Sequence, residues 1–522
     1  MNVLIIDLTH GGLIIALEIA KLDIFKDVWV WDIYQTTSAK QKKTLQENGI
    51  RLINSGFRKN EYLESKDDLK SFLSLNNPDF QTDDDIKIIS PVHCPLNIKP
   101  DFSHHQAIKL ILDNWKKLKI ENSNFEENLK EKYPLNLNGN SKEIPIIEVT
   151  GVKGKTSTVG MLKQIFAPYR PLILSSLGAE IFENGEPSEN SEIISESIVL
   201  KKNISITPAS IIETIKLAGN NDYGISIFET SLGATGMADV GLLTNIIEDY
   251  PIAGKKSKAS LAKEQIFQSK MICCEYDTFM EYYGHLKYGN LKNRLNTFSF
   301  NKTDQSNLCL SNIEYGLKKS IIGIKTWNLK TINGDVLNCD FSVETFAPSP
   351  YQVENVLAAV CCALTLGMIP NNIKEGLKNF SGLEGRSSIK KFDKINIIEE
   401  INPGINITAI EHAINMTMEL KNPAIILGGQ YGITCEEIDE IKAAELLEKI
   451  FYNKNNNTSN SIPEKKISLI LTNELGLGIK ENMNYNPYHF FDPQEAVQFA
   501  IDNGRKNIVF IYRSNYSNLK QR

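Results

Sequence analysis

An apolar run that ends in a glycine turn and continues as a helical pattern constrains this chain more than any other segment. Residues 146–158 read Ile-Ile-Glu-Val-Thr-Gly-Val-Lys-Gly-Lys-Thr-Ser-Thr, and helical spacing of apolar residues follows through Ile165. Glycines let backbone N–H groups approach phosphate oxygens, and the start of a helix adds partial positive charge. The segment therefore predicts an α/β domain that binds ATP.

The turn after this strand predicts the residues that hold the nucleotide. Lys155 would reach the β- and γ-phosphates, and the hydroxyl of Thr156 would bind Mg²⁺. A glycine turn without a function is the alternative, but the strand and helix on either side favour a phosphate site. The predicted nucleotide-binding residues of the turn are Gly151, Val152, Lys153, Gly154, Lys155, Thr156 and Ser157.

Length and composition predict a multidomain protein of a reducing compartment. A chain of 522 residues predicts about three domains. The net charge of −6 argues against a general surface for nucleic acids or anionic membranes, so we expect neither partner. Eight cysteines are too few for a disulfide scaffold, which favours buried thiols and a cytoplasmic location. Asp7 and His10 interrupt the first apolar run, which predicts a strand rather than a signal peptide.

The first block, residues 1–103, has the pattern of a Rossmann-type βαβ unit. Strands are predicted at Val3–Leu8, Val28–Ile33 and Ile86–Ser90, with a helix at Leu13–Lys21. The turn before this helix lacks the full glycine pattern of dinucleotide sites, so NAD binding is not expected. It could hold another anionic ligand, or it could be a purely structural tight turn.

The second and third blocks continue the alternation of strands and helices. The central block is placed at residues 104–384, with a polar excursion at 121–142, and the third at 385–522, with a loop insertion at 452–466. The alternation predicts a parallel sheet in the central block. Strands are predicted at Pro171–Ser175, Gly224–Thr230, Val240–Asn245, Asn396–Glu400, Ala424–Gly429, Ser468–Thr472 and Asn507–Tyr512, and helices at Lys258–Gln268 and Asn355–Leu366.

Ordered motifs along almost the whole chain resemble those of the Mur ligase family. The turn Thr150–Thr156 follows a valine where a general P-loop has glycine, and it is similar to the family's Thr-Gly-Thr-Asn-Gly-Lys-Thr/Ser. The resemblance implies an α/β fold with three domains: Rossmann-like, P-loop ATPase and a second Rossmann-like domain. The later landmarks follow in family order: Glu229 after a strand, the segment Leu243–Tyr250, Lys263 in Ser260–Phe267, Asn355 in Gln352–Ala359, and Arg386 in Gly382–Arg386.

The family resemblance implies an ATP-dependent, ADP-forming ligase. Such enzymes transfer the γ-phosphoryl group to a substrate carboxylate, and a nucleophile then displaces phosphate from the acyl phosphate. Positive charge must be concentrated where the two anions meet. The catalytic residues that the resemblance implies are Lys155, Glu229 and Lys263.

Two Mg²⁺ ions are implied beside these residues. Thr156 and Glu229 would hold one ion, and a carbamylated Lys263 would help to hold the second. Asn355 would lie against adenine, and Arg386 would reach the nucleotide from the third domain. From the residues alone, Glu229 could instead be a turn carboxylate, and Lys263 could be a solvated helix lysine.

Three departures from the family pattern indicate which branch of the family this chain resembles. Lys153 stands where the family has asparagine, and Tyr250 stands where a histidine follows aspartate. The third-domain signature appears only as Glu399-Glu400 before Ile-Asn-Pro, and the sequence does not decide which glutamate replaces the nucleotide-binding acid. With the opening segment Asp7–Gly12, these features resemble the branch of the family that acts in coenzyme F-430 formation in methanogenic archaea.

This closer resemblance implies a nickel tetrapyrrole substrate and no amino-acid co-substrate. A propionate side chain of seco-F-430 would be activated, and an internal carbon nucleophile would close a six-membered ring. The candidate contacts for this polyanionic substrate are Thr9, His10, Gly11 and Gly12. The pair His104-His105 is expected at the surface.

Three other functions stay open on the sequence alone. An amino-acid or peptide ligase of pseudomurein or related cell-wall precursors would keep the family and change the substrate. A P-loop ATPase or kinase switch would hydrolyse ATP without a small carboxylate and without a lysine carbamate. A Rossmann dehydrogenase is disfavoured by the incomplete glycine pattern between Thr9 and Gly12.

Overall fold

The chain forms two compact units in this computed structural model. The first comprises Met1–Glu314, Ile321–Glu344 and Val353–Asn379, and the second comprises Tyr315–Ser320, Thr345–Gln352 and Phe380–Arg522. The structure describes residues 1–9, 11–53, 63, 65–76, 80, 85–92, 94, 98–120, 144–183, 197–252, 257–288, 291–301, 305–316, 319–383, 386–392, 395–401, 405, 407, 410, 411, 413, 414, 420–431, 438–451 and 468–514.

A parallel sheet opens the first unit. Its strands, in spatial order, are Arg51–Ile53, Val28–Trp31, Asn2–Ile6, Ile86–Ser90 and Phe102–Ser103. The first strand of the chain lies in the middle and is buried throughout, because apolar clusters cover both faces of the sheet. This order is of the Rossmann type, as the first block predicts. The accompanying helices are Gly12–Lys21, Ala39–Glu47, Lys66–Asn76 and His104–Ile120.

The central sheet contains the strand that precedes the glycine turn. Its strands, in spatial order, are Asp340–Thr345, Ser320–Thr326, Leu308–Glu314, Leu295–Ser299, Met271–Glu275, Val240–Leu243, Ile146–Thr150, Ser226–Glu229, Leu172–Ser175, Gly178–Phe182 and Ser197–Lys201. The strands from Leu308–Glu314 to Leu172–Ser175 run parallel, which confirms the predicted parallel core. Antiparallel neighbours extend the sheet at both sides, and the sequence pattern misses them. The outermost strands, Ser197–Lys201 and Asp340–Thr345, have few buried residues, so their apolar signal is weak.

Helices of the central region differ in detail from the predicted ones. The predicted helix Lys258–Gln268 is α-helical only over Ala259–Lys263 and continues as a 3-10 helix at Glu264–Gln268. The predicted helix Asn355–Leu366 begins earlier, at Pro350, because proline is well suited to the first turn. The other helical segments are Lys155–Ile165, Ala167–Tyr169, Ala209–Ala218, Tyr276–Thr278, Phe279–Tyr283, Gly284–Tyr288 and Pro370–Lys378, and short hairpins pair Pro251–Ile252 with Ser257–Lys258 and Leu329–Lys330 with Val336–Leu337.

The first sheet and the central sheet share one hydrophobic core. Ile15, Ile108 and Ile211, which come from three different helices, belong to the same buried cluster. Each fully buried side chain of this size contributes about 1.5–3 kcal/mol. At the rim, the buried carboxylate of Glu18 accepts a hydrogen bond from Lys216. The core therefore fixes how the strand ends of one sheet face those of the other.

A third sheet lies in the second unit. Its strands, in spatial order, are Arg386–Phe392, Ile395–Ile401, Asn507–Arg513, Pro423–Gly429, Ser468–Thr472 and Tyr488–Phe490, and all neighbours except the first pair are parallel. Glu399 and Glu400 are consecutive on one strand, so their side chains point to opposite faces. Only one of them can therefore face a given ligand. The helices are Glu440–Phe451, Asn473–Glu481 and Pro493–Asp502.

Some sequence-based expectations are confirmed here and others stay predictions. The adjacent cysteine pairs 273–274 and 361–362 are buried free thiols, as expected. Within the described residues, no helix combines the length and apolar character needed to cross a membrane. The polar excursion 121–142 and the loop insertion 452–466 lie outside the described residues. The block boundaries at 103/104 and 384/385 stay predictions.

Candidate active site

The glycine turn joins the strand Ile146–Thr150 to the helix Lys155–Ile165. Gly151 has φ 146° and Gly154 has φ 82°, and side-chain-bearing residues rarely adopt such values. A Cβ on Gly151 would lie only 2.0 Å from Thr244 Oγ1. Gly154 begins the helix without a side-chain hydrogen bond, and the first helical turn carries no acidic residue. This helix start is therefore suited to an anionic ligand.

A neighbouring segment braces the turn through hydrogen bonds. The N–H groups of Val152 and Lys153 donate to the backbone oxygen and to Oδ1 of Asn245 at 2.9 and 3.0 Å. Thr244 Oγ1 donates to the backbone oxygen of Lys153 at 2.6 Å. The sequence singles out Thr244 and Asn245 only through the family resemblance, and the structure shows that they shape the phosphate turn.

Lys155 lies at the turn itself. Its Nζ donates to the backbone oxygens of Gly151 and Val152 at 3.0 and 3.3 Å. The side chain is half-buried. The ammonium is therefore held at the turn whose N–H groups would bind phosphate, as its predicted role requires.

Thr156, Glu229 and Ser176 form an oxygen cluster at the edge of the central sheet. Thr156 Oγ1 donates to Glu229 Oε1 at 2.9 Å and lies 3.0 Å from Ser176 Oγ. The Ser176 N–H donates to Glu229 Oε2 at 3.0 Å. Glu229 is 1% exposed and ends a strand that is parallel to Ile146–Thr150, so the two strand ends meet. The sequence predicts Thr156 and Glu229 but misses Ser176, which follows the next strand over.

The donor types of this cluster fit a magnesium ion. Hydroxyl and carboxylate oxygens are ligands that Mg²⁺ prefers, and the ion usually keeps waters and substrate phosphates as its other ligands. The described residues contain no group of three or more His, Cys, Asp or Glu side chains arranged to hold a metal ion. One carboxylate and two hydroxyls leave the other positions around an ion to waters and nucleotide phosphates.

Lys263 ends the short helix Ala259–Lys263 and is 1% exposed. Its Nζ donates to the backbone oxygen of Ser231 at 2.9 Å, two residues beyond Glu229. The alternative of a solvated helix lysine is therefore wrong. Burial of an ammonium costs free energy unless other groups compensate its positive charge. Modification to a carbamate would replace this positive charge with a negative one.

In the turn of the first sheet, groups of the protein itself occupy the space beside the glycines. Asp7 is fully buried at φ 70°, and its Oδ1 accepts the N–H and the hydroxyl of Thr9 at 2.7 and 2.6 Å. Gly11 has φ 95°, and a Cβ on Gly12 would lie 1.9 Å from the backbone oxygen of Asp7. The fourth predicted residue, His10, lies outside the described residues.

His104 and His105 are buried, so the expectation that they lie at the surface is wrong. They begin a helix where the first sheet meets the central sheet. His104 Cε1 lies 3.4 Å from the position of a Cβ on Gly12, and His105 Nε2 lies 3.4 Å from that position on Gly233. The sequence gives no signal for this burial, because it depends on the contact between the two sheets.

Asn355 lies on the helix Pro350–Thr365 and is 2% exposed. Its Nδ2 makes no hydrogen bond within the described residues. A buried amide of this kind is suited to a ring nitrogen of a base such as adenine. Arg386 begins the strand Arg386–Phe392, and its side chain lies outside the described residues. The nucleotide contact predicted for Arg386 stays a prediction.

Glu354, which precedes Asn355, has a strongly perturbed carboxyl group. Burial, together with the nearby carboxylates of Glu275 and Asp277, raises the pKa of Glu354 to about 7. The protonated carboxyl is therefore favoured beside the predicted adenine position below about pH 7.

Comparison with known proteins identifies the family of this chain. Residues 389–515 match the family model described as coenzyme F430 synthetase CfbE, C-terminal domain. A coenzyme F(430) synthetase of Methanocaldococcus jannaschii is 30% identical over 451 residues, which cover 85% of this chain and 88% of that protein. The chain belongs to the coenzyme F430 synthetase family. A coenzyme F(430) synthetase of Methanosarcina acetivorans is 28% identical over 473 residues, which cover 85% of this chain and 87% of that protein.

Solved structures agree on the fold. A crystal structure of MurF from Acinetobacter baumannii aligns with a TM-score of 0.52 at 13% identity, over 83% of each chain. The chain therefore has the Mur ligase fold, as the ordered motifs predict. Together with the family membership, this makes the protein an ATP-dependent ligase.

Proposed function

We propose that this protein closes the carbocyclic ring of seco-F-430, a nickel tetrapyrrole, in an ATP-dependent reaction that forms ADP and phosphate. Two relatives named coenzyme F(430) synthetase, each aligned over 85% of this chain, support the substrate. The observation that carries the chemistry is the oxygen cluster of Thr156 and Glu229 beside the phosphate turn. An amino-acid or peptide ligase of cell-wall precursors is the alternative.

The reaction has two steps in this proposal. A propionate carboxylate of the tetrapyrrole attacks the γ-phosphorus of ATP, and the bond to the β-phosphate oxygen breaks to release ADP. An internal carbon nucleophile then attacks the acyl carbon, the carbon–oxygen bond to phosphate breaks, and the carbon loses its proton. Lys155 lowers the repulsion between carboxylate and phosphates in the first step.

Magnesium would be held by residues of the oxygen cluster. Thr156 and Glu229 would bind one ion, and a carbamylated Lys263 would help to bind a second. Such ions supply positive charge to the phosphates during transfer. The burial of Lys263 next to the strand end of Glu229 supports this assignment.

The remaining predicted contacts complete the proposal. Gly151 to Ser157 would surround the phosphates, Asn355 would contact adenine, and Arg386 would reach the nucleotide from the third domain. The turn of Thr9, His10, Gly11 and Gly12 would contact the tetrapyrrole. We place the three domains at residues 1–103, 104–384 and 385–522. Buried free thiols support a reducing, cytoplasmic location.

Release of ADP by the purified protein with Mg²⁺-ATP tests this function. One reaction receives seco-F-430, and a parallel reaction receives amino acids with nucleotide-linked peptides. Turnover with the tetrapyrrole alone, together with ring closure detected by mass and absorbance, is the expected result. Turnover only with amino acids would keep the ligase chemistry and replace the substrate.

The role of Lys263 has its own test. We expect Lys263→Ala to lose about 10²–10³-fold in kcat, because a group that stabilises developing charge is removed, and to regain part of it with added formate or acetate. Lys258→Ala is the matched control, since Lys258 lies on the same segment and is exposed. Normal turnover by Lys263→Ala would rule out the carbamate.

A further inference from the structure

The helix that carries Lys263 is too short to hold its own position. Ala259–Lys263 has five residues, and isolated helices shorter than about 12 residues are marginal in water. Its cap residue, Lys258, makes no side-chain hydrogen bond to the first turn. The position of Lys263 must therefore come from contacts with other segments.

Asp249 supplies two of these contacts. Its Oδ1 accepts the N–H of Ser260 at 2.8 Å, and its Oδ2 accepts the Ser260 hydroxyl at 2.9 Å. The next residue, Tyr250, accepts the N–H of Ala259 through its backbone oxygen at 3.0 Å. The first N–H groups of an α-helix have no hydrogen-bond partner within that helix. Here residues 249 and 250 accept the first two, which belong to Ala259 and Ser260.

The opposite side of the same helical turn is also fixed. The hydroxyl of Tyr283 donates to the backbone oxygen of Ser260 at 2.6 Å. Burial raises the pKa of Tyr283 above its ordinary value, so the hydroxyl stays protonated and can donate. Ser260 is therefore held from two sides, three residues before Lys263.

The segment that contains Asp249 also reaches the phosphate turn. Asn245, four residues before Asp249, accepts the N–H groups of Val152 and Lys153. One stretch of chain, residues 244–250, therefore contacts both the turn predicted to hold phosphates and the helix that carries Lys263.

We propose that Asp249 is a positioning residue that sets Lys263 relative to the phosphate turn. This rests on the proposed role of Lys263 in the ligase reaction. A carboxylate that accepts hydrogen bonds at a helix start is stronger than a neutral acceptor, because the bonds are charge-assisted and the helix dipole favours the negative charge. The ion pair of Asp249 with Lys258 at 3.8 Å adds little, since Lys258 is exposed.

Substitution of Asp249 tests the proposal with a readout of Lys263 itself. Asp249→Ala removes both contacts, whereas Asp249→Asn keeps one acceptor oxygen for the Ser260 N–H. Asp335→Ala is the control, because Asp335 is an exposed aspartate in a turn of the same unit. The measurements are ADP release with seco-F-430, ADP affinity, thermal unfolding, and the ¹³C carbamate signal of protein equilibrated with labelled bicarbonate.

Asp249→Ala should lower kcat about 10- to 100-fold, as is typical when a residue that orients a ligand is removed. Its carbamate signal should weaken, and its ADP affinity should stay that of the wild type. Asp249→Asn should recover part of both kcat and the signal, and Asp335→Ala should match the wild type. Should Asp249→Ala fail to fold, Asp249→Asn and Ser260→Ala give the same graded comparison.

Several results would overturn the proposal. Full turnover and a full carbamate signal in Asp249→Ala would show that Lys263 does not depend on Asp249. A loss of ADP affinity as large as the loss of kcat would assign Asp249 to the nucleotide instead. Failure of the proposed function looks different: the wild-type protein would then show no carbamate signal or no turnover with the tetrapyrrole.

Discussion

Two glycine turns of this protein share a sequence pattern but differ in the groups that accept hydrogen bonds from them. Each follows a buried parallel strand and precedes a helix whose first turn carries no acidic residue. In the turn of the first sheet, the carboxylate of Asp7 accepts the N–H and hydroxyl of Thr9. In the phosphate turn, the N–H groups of Val152 and Lys153 donate to the neutral residue Asn245.

The difference teaches that a strand, a glycine turn and a helix do not by themselves make an anion site. Where a carboxylate of the chain already lies in the turn, it opposes the approach of a second anion. In the phosphate turn the backbone bonds to a neutral residue, and the carboxylate of Glu229 accepts a hydrogen bond from Thr156 at the predicted magnesium position, so the helix start still favours an anion. We therefore expect the turn at Gly151 to bind phosphates, and contacts of the turn at Gly11 to involve less charged parts of a substrate.

Replacement of the lysine in the phosphate turn should have the largest effect. We expect Lys155→Ala to lower kcat for ADP release by about 10²–10³-fold, because a positive charge is removed where phosphate charge develops. Its thermal unfolding should stay close to that of the wild type, since Lys155 is only half-buried and its hydrogen bonds to Gly151 and Val152 lie within the turn.

Lys163→Ala is the matched control for that experiment. Lys163 lies on the helix that Lys155 begins, and its ammonium bonds to Glu180 rather than to the phosphate turn. Its effect on kcat should therefore be much smaller than that of Lys155→Ala. Retained turnover in Lys155→Ala would remove the phosphate turn from the mechanism and end the contrast between the two turns.

Replacing one glycine of each turn with alanine tests whether the two turns differ in function. A Cβ would lie 2.0 Å from Thr244 Oγ1 at Gly151 and 2.1 Å from Ala209 Cβ at Gly11, and both backbones have positive φ. Each variant should lose about 1–3 kcal/mol in the free energy of unfolding, through strain and close contact. Calorimetry should show weaker ADP binding only for Gly151→Ala.

Equal losses of ADP affinity in both variants would contradict the contrast, because the first-sheet turn would then influence the nucleotide as well. Weaker binding of seco-F-430 by Gly11→Ala, with unchanged ADP affinity, would support a substrate contact at that turn.

The sequence predicts what depends on neighbouring residues and misses what depends on packing. The phosphate turn and its lysine are predicted from one short stretch, and Glu229 is predicted only through the family resemblance. Ser176 joins the oxygen cluster only because its strand lies next to that of Glu229, which the order of residues does not reveal. The burial of His104 and His105 likewise depends on the contact between two sheets.

A smaller effect concerns the carboxyl group beside the predicted adenine position. Burial raises the pKa of Glu354 from 4.5 to about 7, so the fold favours its neutral form. A group whose pKa is raised in the folded state stabilises the protein fully below its unfolded value, and that contribution is lost as pH rises through the folded value.

Glu354→Gln therefore tests whether the predicted adenine position excludes negative charge. The turn of the first sheet, by contrast, contains the carboxylate of Asp7. Glutamine is neutral at every pH, so the free energy of unfolding of the wild type relative to this variant should fall between pH 4.5 and about 7. The fall should be at most about 3 kcal/mol, from the size of the pKa change. Denaturant unfolding of both proteins across that range measures it. Parallel curves would show that Glu354 is charged in the fold, so that the nucleotide side tolerates a carboxylate as the first-sheet turn does.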